Sequence, residues 1–241
     1  MDRRAFLRWL AAGGAGVVGL GAHGLASPYH HVVTRREVGV RGLRAPLRVA
    51  VMADMHLGVY SPENLRAWVE SVNREAPDLV VLPGDLTQVA RREASLAGRL
   101  RELLAPLGGL RAPLGAFAVL GNHDYQAVWQ GGREGFTAAL GSVGVRLLVN
   151  QGVGLRDDLF LAGADDLWHG EPDARAAVAG AQARQAVVLL AHNPDLLPTL
   201  PARVDLTLCG HTHGGQVVLP LLGPPVVPSR YGARFAGGLY Q

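Results

Sequence analysis

Asp54-Met55-His56, Gly84-Asp85, Gly121-Asn122-His123-Asp124, Ala191-His192-Asn193 and Gly210-His211-Thr212-His213 carry most of the chemistry legible in this chain. Each motif offers Asp, Asn or His, whose carboxylate, amide oxygen and imidazole bind divalent cations. Without thiolate in the set, Mn, Fe or Zn suit these donors better than copper(I) or an iron–sulfur cluster. Each motif also follows an apolar run: Val49 to Ala53, Leu79 to Leu82, Ala116 to Leu120, Ala186 to Ala191 and Val204 to Cys209. Val- and Leu-rich runs of this length, separated by helical patterns, read as strands covered on both faces. Open α/β sheets bind ligands beyond the carboxyl ends of their strands, so these distant motifs are expected to converge on one crevice. A single His or Asp at a strand end commonly caps or satisfies a turn; five such motifs in succession point to a metal site.

The five motifs in this order, over Val49 to Tyr231, resemble the calcineurin-like metallophosphoesterases, of the small bacterial exported type. The resemblance implies a four-layer α/β/β/α sandwich of two mixed sheets flanked by helices. It implies two divalent metal ions, with Asp54, His56 and His213 on one, Asn122, His192 and His211 on the other, and Asp85 as the bridge. The chemistry of the side chains agrees with that assignment. A carboxylate can bridge cations about 3.5–4 Å apart, and a neutral amide oxygen avoids excess negative charge. Two cations lower the pKa of a shared water from about 15.7 towards neutrality, which supplies hydroxide for in-line attack on a phosphodiester or phosphomonoester. His123 holds no metal in the family pattern and assists the leaving group, with Asp124 a candidate to orient its ring.

Other polar and aromatic residues are open to two readings. Trp129 and Phe136 lie just past the Gly121 to Asp124 motif and could flank the cleft, with Arg133 between them pairing with a substrate phosphate; ordinary packing would place them equally well. Asp165, Asp166 and His169 follow the run Leu159 to Ala164. They read as a turn or helix start rather than as cleft lining, because Pro172 marks a helix beginning there.

The elements that must position these residues follow from the patterning. Val32 to Val40 and Leu47 to Ala53 suggest two strands joined by a turn at Gly42. Ser61-Pro62-Glu63 opens a helix whose apolar face is Leu65, Trp68, Val69 and Val72. Leu96, Leu100, Leu103 and Leu104 make a second helix, and a third is expected over Glu134 to Ser142. Short strands are expected at Arg146 to Asn150 and Leu159 to Ala162. Alternation of this kind argues for α/β layers.

A chain of 241 residues that is 49% hydrophobic can bury a substantial core, and no repeat or charge block divides it. All 23 basic residues are arginine. Asp2-Arg3-Arg4-Ala5-Phe6-Leu7-Arg8, followed by the Gly- and Ala-rich stretch Trp9 to Ala22, resembles a twin-arginine export signal over residues 1–26, leaving a metallophosphoesterase domain over 27–241. A Sec signal or an uncleaved anchor could begin in the same way. Without that segment 20 basic residues face 19 acidic ones, a formal charge of +1, which leaves no electrostatic footprint for nucleic acid. The lone Cys209 lies in an apolar run and reads as a small core residue.

The expected activity is therefore phosphoester hydrolysis outside the cytoplasm, in the periplasm, cell wall or at a membrane surface, after passage through the twin-arginine export machinery. An envelope or lipid head-group phosphate is the expected substrate. The alternatives are a noncatalytic scaffold on the same fold or an extracytoplasmic nucleotide hydrolase. Relatives of this type continue past the segment equivalent to Gly232–Tyr240 with further strands, so an unpaired sheet edge is expected.

Overall fold

The computed structural model describes residues 31–215 and 223–241; the segment read as an export signal lies outside them. The chain divides into a unit ending at Glu37 and a unit spanning Val38–Gln241. Residues 31–37 of the first have no regular secondary structure, and the strand expected over Val32 to Val40 does not form. Its apolar residues do not alternate onto one face, and Val32, Val33 and Val38 are exposed. The Gly42 turn does form, at φ +89°.

Among the described residues, the second unit is built on two four-stranded sheets. Strands β1 (Val49–Val51), β2 (Leu79–Pro83), β3 (Ala116–Val119) and β4 (Val145–Leu147) lie in that order, all parallel. Helices α1 (Pro62–Arg74), α2 (Leu96–Leu104) and α3 (Tyr125–Gly141) make the crossovers. The second sheet runs β5 (Gln151–Arg156), β6 (Leu159–Gly163), β7 (Ala186–Leu190), β8 (Leu206–Leu208), antiparallel between β5 and β6 and parallel thereafter. Helix α4 (Ala174–Val178) connects β6 to β7. Only the second sheet is mixed, a correction to the expectation of two mixed sheets. The first has a helical crossover at each connection, which keeps successive strands parallel.

Residue alternation explains the layering. In β2, Val80 and Leu82 pack outward with Leu65 and Val69 of α1, Leu100, Leu103 and Leu104 of α2, and Phe136 and Leu140 of α3. Leu79 and Val81 point the other way and meet Phe117, Val119, Leu159, Leu161, Val188 and Leu190 between the sheets. Phe160, Ala162, Val187 and Leu189 then face Ala174, Ala177 and Val178 of α4. The order is helix, sheet, sheet, helix, and the central strands are buried on both faces. At the far edge of the second sheet β8 is only half-buried.

Two boundaries differ from the sequence expectation. Helix α3 starts at Tyr125, far ahead of Glu134, because Gly131-Gly132 kinks it rather than ending it; Gly132 sits at φ +76°. Strand β4 ends at Leu147, and β5, unforeseen, follows. Among the described residues no helix is long and apolar enough to cross a membrane.

Candidate metal centre

The carboxyl ends of both sheets carry their motifs to one place, and the loops that hold them are bonded to one another. Past β1 the chain runs alongside the loop after β2: Asp54 N donates to Gly84 O at 3.2 Å, His56 N to Asp85 O at 2.9 Å and Leu57 N to Leu86 O at 2.9 Å. Past β7 and β8 the same pairing continues, with Ala191 N to Leu208 O at 3.2 Å and Gly210 N to His192 O at 3.0 Å. The two sheets are joined by His192, whose Nδ1 donates to Pro83 O at 2.9 Å. Gly84, at φ +86°, lies flat beside that ring, where a Cβ would stand 2.6 Å from Nδ1. A Cβ on Gly121 would collide with the Asp85 backbone and carboxylate.

Backbone conformation concentrates at the same place. Of the seven non-glycine residues with positive φ among the described residues, five are Asp54, His56, Asp85, His211 and His213. Each such residue costs on the order of 1–3 kcal/mol and persists only where the surroundings fix it, and such residues cluster at functional sites.

The seven expected ligands come together as two groups of donors meeting at Asp85. On one side His56 Nε2 stands 3.2 Å from His213 Nε2, and His213 Nε2 is 3.9 Å from Asp54 Oδ1. On the other, His192 Nε2 stands 3.1 Å from Asn122 Oδ1 and 3.2 Å from His211 Nδ1. Asp85 Oδ2 lies between, 3.6 Å from His56 Nε2 and 3.3 Å from His192 Nε2. Asp54 also reaches across, accepting from His211 N at 2.8 Å.

These donors fit cations. Ligand atoms about 2.0–2.1 Å from one ion stand about 3 Å from each other, the spacing of the facing nitrogens. Burial holds His56 and His211 at about 4, so both are neutral and present lone pairs. His56 Nδ1 and His211 Nε2 are themselves buried without a hydrogen-bond partner. Burial disfavours charge on Asp85 and His192 too, but their mutual contact overrides it, so the carboxyl titrates below and the imidazole above its usual range. A bound cation would take the place of the proton that His192 holds there. The His192 bond to Pro83 fixes the tautomer that leaves Nε2 for the metal.

His123 and Asp124 part company. The His123 backbone N–H donates to Asp85 Oδ1 at 2.8 Å, and its ring stands edge-on to His56 with centroids 4.9 Å apart. A His123 ring nitrogen lies within 4.8 Å of donor atoms of His56 and Asp85. The expectation that Asp124 orients this ring is corrected by its bonds. Oδ1 accepts from Thr87 N at 2.8 Å and Thr87 Oγ1 at 3.0 Å, and Oδ2 from Gly121 N at 3.0 Å and Leu86 N at 3.2 Å. Four donors fill the carboxylate, so Asp124 fastens the β2 and β3 loops together and positions the centre indirectly. Burial and the Asp85 carboxylate push its pKa up to about 7, opposed by those same bonds. In metal-free protein, Asp124→Ala leaves three buried N–H groups and one hydroxyl without an acceptor. At about 1–3 kcal/mol each it should lower unfolding stability by at least about 3 kcal/mol in urea titrations; a loss below about 1 kcal/mol would remove the fastening role.

The remaining sequence candidates divide. Phe136 is core. Arg133 is not free for phosphate: its Nη2 pairs with Asp165 Oδ2 at 3.3 Å, since that buried carboxylate lies within its reach. Trp129 stays exposed, 5.0 Å from the His169 ring. Asp165 and Asp166 do form a turn, and Asp173, just past Pro172, caps α4. That turn nevertheless reaches the centre, because Trp168, which the sequence reading passed over, stands edge-to-face with His211 at 4.3 Å. Cys209 is half-buried just past β8, packed against the second sheet's outer core, and desolvation pushes its thiol up to about 12.

The calcineurin-like phosphoesterase family profile matches residues 47–215. With a helix-flanked pair of sheets and a histidine- and carboxylate-lined centre at their carboxyl ends, the chain belongs to that family, whose members are metal-dependent phosphoester hydrolases. It is 30% identical to the uncharacterized metallophosphoesterase YkuE of Bacillus subtilis over 100% of this chain and 86% of that protein. It is 32% identical to the phosphodiesterase YaeI of Escherichia coli, over 99% and 87%. A transmembrane protein with metallophosphoesterase domain from Danio rerio is 35% identical over 71% of this chain and 41% of its own length. Among solved structures, the Haemophilus influenzae NAD nucleotidase superposes with a TM-score of 0.50 at 14% identity, over 69% of this chain and 38% of that one, a likeness of fold.

Proposed function

We propose that the chain hydrolyses a phosphodiester or phosphomonoester with two divalent cations, Mn, Fe or Zn, held by Asp54, His56 and His213 on one side, Asn122, His192 and His211 on the other, and Asp85 between. The observation that carries this reading is the place of Asp85 Oδ2, within 3.6 Å of a nitrogen from each group. When bound, the cations would polarise the phosphoryl oxygens and lower the pKa of water. The chain's own residues do the rest. Neutral His56 and His211 supply lone pairs, Asp124 and Pro83 hold the loops in register, and the His123 ring stands beside the donors where a departing oxygen needs a proton or a positive dipole.

The reading includes export by the twin-arginine machinery and a substrate among envelope phosphates, such as a lipid head group at a membrane surface. The relative from E. coli, named a phosphodiesterase, supports the diester, and the Arg3-Arg4 pair supports the export. Purified protein loaded with manganese should hydrolyse bis-p-nitrophenyl phosphate or p-nitrophenyl phosphate and lose the activity on chelation. A loaded protein inert towards both esters would leave the scaffold alternative, and a clear preference for nucleotides over phospholipids would remove the envelope substrate. Replacing Arg3 and Arg4 together by Lys leaves net charge unchanged and should hold the protein in the cytoplasm; normal export of that variant, followed by fractionation, would point to a Sec signal or anchor.

A further inference from the structure

We propose that Trp168 and Trp129, with His169 between them, form an aromatic wall beside the metal centre that holds a planar ring on the substrate, so that the enzyme favours esters of ring-bearing alcohols. The inference rests on the phosphoesterase reading and adds to it a residue-level account of selectivity.

Trp129 is 60% exposed and Trp168 49% exposed, each on a stretch of half-buried and exposed residues that leaves the indole open to a ligand. Ring contacts place Trp168 against the donor group and Trp129 against His169, the residue next to Trp168 in the chain. Trp168 meets His211 at 4.3 Å and 89°, His169 meets Trp129 at 5.0 Å and 69°, and Tyr125 closes the group at about 6 Å from both Trp129 and His169. Because His211 belongs to the donor group, Trp168 stands beside the place where a phosphate would be held, within reach of its ester group. Exposed indole faces stack on planar rings of any kind.

The wall is also built rigid. Asp166 Oδ2 accepts from Trp168 N at 2.8 Å and His169 N at 2.7 Å, which fixes the backbone that carries both rings. Asp165 ties the same turn to α3, accepting from Tyr125 Oη at 2.7 Å and Arg133 Nη2 at 3.3 Å, while Asn150 Oδ1 accepts from Asp165 N and Asp173 N at its two ends. Gly170 is packed so closely that a Cβ there would meet the Asp165 carboxyl carbon at 2.5 Å. Two buried carboxylates and an asparagine spent on one short turn keep its exposed rings in place before any ligand arrives, and that preorganisation lowers the cost of binding.

Two diesters with the same leaving group isolate the wall: bis-p-nitrophenyl phosphate, whose second ester is a planar ring, and methyl p-nitrophenyl phosphate, whose second ester is not. Trp168→Ala should lower kcat/KM for the bis-aryl ester about 5- to 150-fold and change the methyl ester less than about twofold, with Trp168→Phe keeping most of the difference. Metal content should be unchanged. Quenching of tryptophan fluorescence supplies a reading that needs no turnover: phenylphosphonate should bind the loaded wild type more tightly than methylphosphonate, and Trp168→Ala should abolish the preference. Equal losses on the two diesters, or equal affinity for the two phosphonates in wild type and variant, would overturn the wall. A loaded wild type that cleaves neither diester would overturn the phosphoesterase reading, and the wall would then be judged on the phosphonates alone.

Discussion

Asp85→Ala should abolish binding at both halves of the centre and take with it nearly all turnover. The carboxylate is 2% exposed, and its Oδ2 lies 3.6 Å from His56 Nε2 and 3.3 Å from His192 Nε2, one histidine of each group. Removing a peripheral ligand such as His213, a third of whose side chain is exposed, takes one donor from one group. Removing Asp85 takes a donor from both and leaves six groups, of which only Asp54 is a carboxylate, around two divalent cations. The stabilisation that divalent cations give a phosphoryl transition state is several kcal/mol, and each 1.36 kcal/mol is tenfold, so a loss of about 10³-fold or more is expected. Asp85→Asn is the companion variant: it keeps an oxygen for the His123 N–H, now 2.8 Å away, and removes only the charge. Metal analysis on folded protein, verified by circular dichroism, should find less than one equivalent in Asp85→Ala and nearly one lost in His213→Ala. Full two-ion occupancy in the Asp85 variant would sink the bridging assignment.

The convergence of the seven candidate donors was legible because metal chemistry and strand burial leave separate marks that coincide here. Val80 to Leu82 and Val187 to Leu190 are apolar without alternation because both faces of their strands are covered, and the donor that follows each run is where such strands deliver it. What stayed hidden depends on groups far apart in the chain. Strand β5 sets Val153 and Leu155 against the core between the sheets, but its alternate positions Gly152 and Gly154 hid it in the sequence, and the Phe160 ring of the neighbouring strand lies where a side chain on Gly152 would go. Asp124 adjoins His123 in sequence, yet its side chain turns away to the loop after β2, and adjacency cannot reveal a partner supplied by a neighbouring strand. Arg133 was free in the sequence only because Asp165, its partner, stands on the loop after β6, far along the chain. Trp168 carried one usable signal, an aromatic residue between an Asp pair and a His just past a buried strand, but its contact with His211 depends on which loops the second sheet sets side by side.

His123→Ala should separate the chemistry from the metals. Its backbone N–H, not its ring, is what Asp85 uses, so the substitution leaves that hydrogen bond in place and both ions should remain. If the ring serves the leaving group, turnover should fall by roughly 10²–10⁴-fold, the usual contribution of general acid or base catalysis by one side chain. The effect must depend on the ester. p-Nitrophenolate leaves as a stable anion and needs little protonation, whereas an alkoxide needs a proton as the bond breaks, so the loss should be small for the first and approach its full size for an alkyl phosphodiester. With Asp124 committed to the loops, the ring contact that His123 makes is edge-on to His56, and His56→Ala should therefore disturb His123 as well as the metal. A fall in metal content in His123→Ala would make the residue a ligand, in keeping with its nitrogen lying within 4.8 Å of donors on His56 and Asp85. Equal losses on activated and unactivated esters, with both ions kept, would remove the proton-transfer role and leave an electrostatic one.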